Sequence, residues 1–213
     1  MTVTSDARKL AGNGAALVRE RALAGRVQGA LERVYQLERV ADVGDFVREG
    51  SAGEREALFL READDGALEV RLQLPPLPTS DFELDACCQI IEGVSHFVYV
   101  VERARTGRET TQLELEVQAE VDKWLVLAAS MRPFDLGRSA ALRARLYERV
   151  GYDHEGGTEL GERYRVANDA AHAFVRQLER RYVGAARYRE MRAELRRFFQ
   201  LGQEEKLRLG RAA

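Results

Sequence analysis

Residues 113–122 read LELEVQAEVD. Every odd position is apolar and every even position polar, the two-residue period of a half-buried strand. A helix accounts for the same residues in another way. Thr111 and Glu114 have the spacing of a capping box. Leu, Glu, Gln and Ala are good helix formers, and only Val117 and Val121 are β-branched. Leu113, Val117, Val121, Trp124, Leu125 and Ala128 recur at three- and four-residue spacing, and the pattern runs on into KWLVLAAS. A helix is therefore the expected reading. A strand would use Leu115 and Ala119 better and stays the open alternative. The choice governs the fold: a helix here, packed antiparallel on the segment before it, carries Glu116, Glu120 or Asp122 towards that segment's polar stripe.

That earlier segment is expected to be a helix over 81–105, opened by a capping box of Ser80 and Glu83. Phe82, Leu84, Ile90, Ile91, Val94, Phe97, Val98, Val100 and Val101 cover most of its girth. Asp85, Gln89, Glu92, His96, Tyr99 and Arg103 fall on a single narrow stripe. A helix that is apolar nearly all round belongs in the middle of a protein. Its stripe is the expected outlet to water or to a site.

Further out, 57–74 reads as a β-hairpin. Leu68, Val70, Leu72 and Leu74 alternate with Glu69, Arg71 and Gln73. A three-residue Asp64–Gly66 loop pairs Ala63 with Ala67, Leu60 with Val70 and Leu58 with Leu72. A two-residue Asp65–Gly66 turn would set Leu60 against Arg71 and leave neither face apolar. Residues 1–13 read as a loose, polar start without order of its own. A helix follows from about Gly14 to Tyr35, with Leu17, Leu23, Val27, Leu31 and Val34 on one face and a small-residue seam of Ala22, Gly25 and Gly29 beside it. A short turn around Asp45–Val47, a stiff PPLP connector and helical patterns at 139–150, 158–182, 185–200 and from Gln203 complete the chain. The expected fold is α+β and predominantly helical. About six helices surround the central 81–105 element, one hairpin (57–74) packs on it, and 1–213 form a single domain.

At 213 residues, 45% hydrophobic and 32% charged, the chain has the composition of a soluble globular domain. No uncharged apolar run reaches the ~18–20 residues of a membrane span, and MTVTSDARKLAGNG lacks the apolar stretch of a signal peptide. A cytoplasmic protein off the membrane is expected. Cys87 and Cys88 are neighbours, badly placed to bridge each other, and read as buried thiols. The charge is uneven. Residues 1–137 carry a balance of −8 and 138–213 one of +6, giving −2 overall. Arginine outnumbers lysine 30 to 3, a bias that weakens any argument from one arginine.

Three constellations carry chemistry. Glu92 and His96 lie four apart on one helix face, and together with carboxylates from 113–122 they are the parts of a metal site in a helical bundle. The two Glu-x-x-His units of a carboxylate-bridged metal pair are absent. RVANDAAH (165–172) places Arg165, Asn168 and His172 on one helix face. This stretch resembles the Arg-x(4–6)-His signature of the HEPN ribonuclease superfamily, all-helical proteins that cleave RNA at a dimer interface. The resemblance covers these eight residues, with Val166 where that family usually has a polar residue. It implies an RNA-cleaving face at Arg165, Asn168 and His172. Finally, 176–213 holds 11 basic and 5 acidic residues with aromatics between them, a composition that can bind nucleic acid.

There is no P-loop, dinucleotide glycine fingerprint, GxSxG or HExxH. No cofactor is expected and no catalytic residue is assigned. By elimination, the sequence points to a non-catalytic protein–protein interaction or regulatory subunit, with a protein partner or self-association. A HEPN-like or other nucleic-acid-binding helical protein is the alternative.

Overall fold

The computed structural model describes residues 4–50, 54–62, 68–77, 84–149, 151 and 155–211. LELEVQAEVD is helical. Helix α4 spans Gln112–Ser130, and the Thr111 hydroxyl caps it by accepting from the Glu114 amide. Val117, Val121 and Trp124 are fully buried on its core face. At 3.6 residues per turn, Glu114, Gln118 and Asp122 wind along one side of the helix and Glu116 and Glu120 along the opposite side. The alternation thus marks two polar stripes on a helix enclosed from both flanks.

Helix α3, Leu84–Arg105, lies at the centre, with Ile90, Ile91 and Val94 fully buried. It packs against α1 (Thr4–Tyr35) and α4. Lys123 meets Glu92 near the start of α3, and Glu114 meets Arg103 near its end, so α3 and α4 run antiparallel. By length and composition α3 could cross a membrane, yet 72% of its apolar window is buried inside the protein. Most of its polar stripe is closed to open water: Gln89, Glu92, Tyr99 and Arg103 are buried and His96 is half-buried, while Asp85 at the start of the helix is exposed. The reason is that α4 brings matching polar stripes to cover it. Ser80 and Glu83 lie outside the described residues.

Strands β2 (Ala57–Glu62) and β3 (Leu68–Leu74) pair antiparallel, with Leu58 opposite Leu72 and Leu60 opposite Val70, the register expected from the apolar face. The turn with Ala63 and Ala67 lies outside the described residues. The sheet has a third strand that the sequence does not announce. After the single turn α2 (Val43–Phe46), β1 (Val47–Glu49) pairs parallel with the other edge of β3, giving the order β1-β3-β2. A two-stranded ribbon is marginal in water, and β1 adds a buried Val47 to it. The sheet rests on α3 at Gly93, where a Cβ would come within 2.9 Å of Leu72 Cδ1.

Beyond α4 come α5 (Leu136–Arg143), α6 (Glu159–Leu178), α7 (Tyr188–Gln200) and α8 (Gln203–Arg211). The described residues therefore form eight helices: α3 at the centre and seven others, one of them the single turn α2. Both α5 and α6 end in a wider π turn, Ala144–Glu148 and Glu179–Val183. Two expectations for α1 need correction. The helix begins at Thr4 rather than near Gly14, because helix propagation needs no apolar periodicity once a longer helix exists. The Ala22, Gly25 and Gly29 seam meets no backbone. Space is open around Gly25, and the buried face is Ala24, Val27, Gln28 and Leu31. Cys87 and Cys88 are both free thiols.

Candidate metal centre

The two polar stripes of α4 meet different surroundings. On one side, Asp122 accepts hydrogen bonds from Ser95 (2.6 Å), Gln118 (3.1 Å) and Tyr35. Lys206 of α8 is fully buried and donates to the Gln118 side-chain oxygen at 2.7 Å, with its ammonium 4.3 Å from the Tyr99 ring centre. Arg103 reaches Glu114, Tyr99 and the Leu201 carbonyl. Among the described residues of this group, only Arg103 Nε lacks a hydrogen-bond partner.

The other side is less complete. Glu92 and His96 come from α3, Glu116, Glu120 and Lys123 from α4, and Glu56 from the residue before β2. Lys123 Nζ donates to Glu120 at 2.6 Å and to Glu92 at 3.2 Å. His96 Nε2 stands 3.7 Å from Glu116 Oε2, beyond hydrogen-bonding reach, and is buried with no other partner. Glu56 Oε2 is also buried without a hydrogen bond; the Glu56 side chain is 7% exposed, its nearest cation the Arg55 guanidinium at 4.0 Å. Glu92, His96 and Glu116 each bring one ligand atom within 4.8 Å of the others. Ligand atoms around a first-row dication stand roughly 3–4 Å apart, so small side-chain adjustments close the set.

The electrostatics follow from four carboxyl groups sharing one buried ammonium. Burial, and next the charge of Glu92, push the Glu56 carboxyl up to about 9. The same two causes push Glu116 up to about 8. Burial also raises Glu120, against the pull of Lys123. Burial opposes the charge of Glu92 as well, but Lys123 and His96 outweigh it and hold Glu92 below the ordinary carboxylate range. Burial keeps His96 below its ordinary value and therefore neutral at pH 7. At neutral pH, Glu92 is held ionised beside Lys123, Glu56 and Glu116 are pushed towards their protonated forms, Glu120 is raised while it accepts from Lys123, and the neutral His96 imidazole has no hydrogen-bond partner at Nε2. A dication would replace those protons, since metal ligands must be deprotonated.

A cavity of about 570 Å³ adjoins the cluster. Glu92, Glu120 and Lys123 lie at its floor, exposed Arg145 and Arg149 at its mouth, and Tyr164 with buried Asn168 on α6 form a wall. The π turn Ala144–Glu148 delivers Arg145, and such turns often occur at functional sites. No family model, no curated protein and no solved structure matches this chain.

The residues singled out from sequence fare differently. Glu92 and His96 come together with Glu116 and Glu120, as antiparallel packing requires; Asp122 turns to the opposite cluster. Arg165, Asn168 and His172 share a helix but take separate partners. Arg165 lies against the loop before α6, near Gly156 and Gly161, and pairs with Glu162 at 3.8 Å. Asn168 lines the cavity. His172 stacks on Tyr147 and contacts Arg143, which is itself held by Glu148 and Glu179. In the basic 176–213 region, Arg180, Arg189, Arg192 and Arg197 are exposed, whereas Lys206 is buried and adds nothing to that surface. Sequence reasoning missed Glu56, Lys123, Lys206, Arg145 and Arg149. One signal was present for the lysines. In a chain this rich in arginine, two of the three lysines sit in these polar clusters, each bonded to side chains of α4.

Proposed function

We propose that the protein binds a divalent cation at Glu92, His96 and Glu116 and presents it to a small molecule in the adjoining cavity. The observation that carries this reading is the buried His96 Nε2, without a hydrogen-bond partner, beside two carboxylates within ligand reach. The surplus of buried carboxyls over ammonium groups supports it. A mixed carboxylate and imidazole set suits Mn²⁺, Fe²⁺ or Zn²⁺. Such an ion would polarise a bound oxygen or lower the pKa of a water molecule. Glu120, bridged to Glu92 by Lys123, and Glu56, whose carboxyl is raised by burial and by the charge of Glu92, would hold or release a proton beside the set. Equilibrium dialysis of chelator-treated protein against Mn²⁺ or Zn²⁺ tests the proposal. One ion per chain is expected, with binding weakened about tenfold or more in Glu116→Gln and in His96→Ala. A folded protein that takes up neither ion would sink it.

A second reading, the partner protein expected from composition, is favoured by the sheet edge. Strand β2 is an edge strand on which Phe59 (49% exposed) and Leu60 (45% exposed) face solvent. Among the described residues no strand pairs with the outer edge of β2, and exposed apolar residues on such an edge are a template for strand addition. Replacing both with serine should abolish any self-association or complex seen by sedimentation while leaving metal uptake intact.

A further inference from the structure

We propose that the cavity takes a phosphorylated small molecule whose phosphate lies between the ion at Glu92, His96 and Glu116 and the guanidinium groups of Arg145 and Arg149. The inference rests on the metal reading and names the ligand class of that site. Its first support is the mouth of the cavity. Arg145 and Arg149 line it, both are exposed, and neither is held in an ion pair by a described residue. Many arginines of this chain are instead tied to glutamates, including Arg39, Arg61, Arg105, Arg143 and Arg187. Two forked cations flanking one opening match the several oxygens of a phosphate better than the two of a carboxylate.

The second support is the floor. Glu92 and Glu120 line it, with Lys123 already engaged by both. Without an added cation these carboxyl groups offer an anion nothing. With a dication in place the floor becomes attractive, and the ion can share a phosphate oxygen as magnesium and manganese sites commonly do. Anion and metal binding must then be coupled, each strengthening the other by the same factor. The third support is size and lining. About 570 Å³ suits a molecule of nucleotide or sugar-phosphate dimensions. The Tyr164 ring and the Asn168 amide offer it one apolar and one hydrogen-bonding surface.

The test measures two quantities on the same samples: Mn²⁺ by equilibrium dialysis and pyrophosphate by calorimetry. Wild type should bind pyrophosphate only when Mn²⁺ is present, and pyrophosphate should tighten Mn²⁺ in return. Arg145→Ala combined with Arg149→Ala removes two exposed side chains, so the melting temperature should hold. This variant should keep its Mn²⁺ and lose roughly tenfold to a hundredfold in pyrophosphate affinity, the worth of one or two charge-assisted hydrogen bonds. Normal Mn²⁺ uptake without pyrophosphate binding overturns the phosphate inference and spares the metal site. Absence of Mn²⁺ overturns both. Pyrophosphate binding that ignores the double substitution overturns the placement at the mouth. A single-stranded oligoribonucleotide that displaces pyrophosphate at equal or lower concentration overturns the small-molecule assignment in favour of a polynucleotide.

Discussion

Two buried polar clusters flank α4, and they are built to different standards. On the side of Glu114, Gln118 and Asp122, almost every donor finds an acceptor, and a buried lysine closes the network. On the side of Glu116 and Glu120, an imidazole nitrogen and a carboxylate oxygen are buried with no hydrogen bond, and a cavity opens next to them. Buried polar groups are nearly always satisfied when their task is structural. The first cluster fastens α1, α3, α4 and α8 together. The second carries a cost in stability that a scaffold has no use for, and this is the physical basis for placing the site there.

The contrast can be broken at its strong end first. Asp122→Ala strips three donors of their acceptor and should destabilise the protein by about 3–5 kcal/mol in urea unfolding. A near-wild-type midpoint would erase the distinction between the clusters. Next comes the ion itself. Mn²⁺ at a hundred times its dissociation constant should raise stability by about 2.7 kcal/mol. At the same Mn²⁺ concentration, a tenfold loss of affinity in Glu116→Gln should cut that gain to about 1.4 kcal/mol, which differential scanning would register as a smaller shift in Tm.

The acidity of the second cluster sharpens the comparison. Burial and the charge of Glu92 push the Glu116 carboxyl of the folded protein up to about 8, above the ordinary glutamate value. Its folded state therefore holds a proton that the unfolded chain has released. The stability this gives is full below about pH 4.5 and is lost as pH rises through about 8. The metal-free protein should thus weaken over that window by at most about 1.4 kcal/mol per pH unit for this group. Glu116→Gln should flatten the wild-type slope between pH 5 and 8, and equal slopes in the two proteins would contradict a protonated Glu116. The smallest effect is expected at His172. Losing its stack on Tyr147 should cost about 1 kcal/mol. An unchanged unfolding midpoint, together with loss of an RNA-cleaving activity, would restore the HEPN-like reading of that face.

Much of the helical layout was legible before any coordinates. The three- and four-residue spacing of Val117, Val121, Trp124 and Ala128 is a local signal, and so is the Thr111 cap. The Leu58–Leu72 and Leu60–Val70 pairing followed from requiring one apolar face. Strand β1 was not legible, because three residues carry no period and their partner in β3 lies about 25 positions away along the chain. The site was half legible. Glu92, His96, Glu116 and Glu120 followed from helical spacing once α3 and α4 were set antiparallel. Glu56, Arg145 and Arg149 did not, since they arrive from two other segments, the residue before β2 and the π turn after α5. The stripe on α3 was expected to open to water or to a site; α4 covers Tyr99 and Arg103, and Asp85, Gln89 and Glu92 line the cavity.

What the residues alone determined is periodicity: which stretches coil, and which side of most of them is greasy. That much is local, since it depends on neighbours three and four positions apart. Only the packing of α3 against α4 decided what the alternating glutamates are for. The same alternation yields a satisfied seam on one flank and an unsatisfied pocket on the other, because the two sides of a single helix met different neighbours.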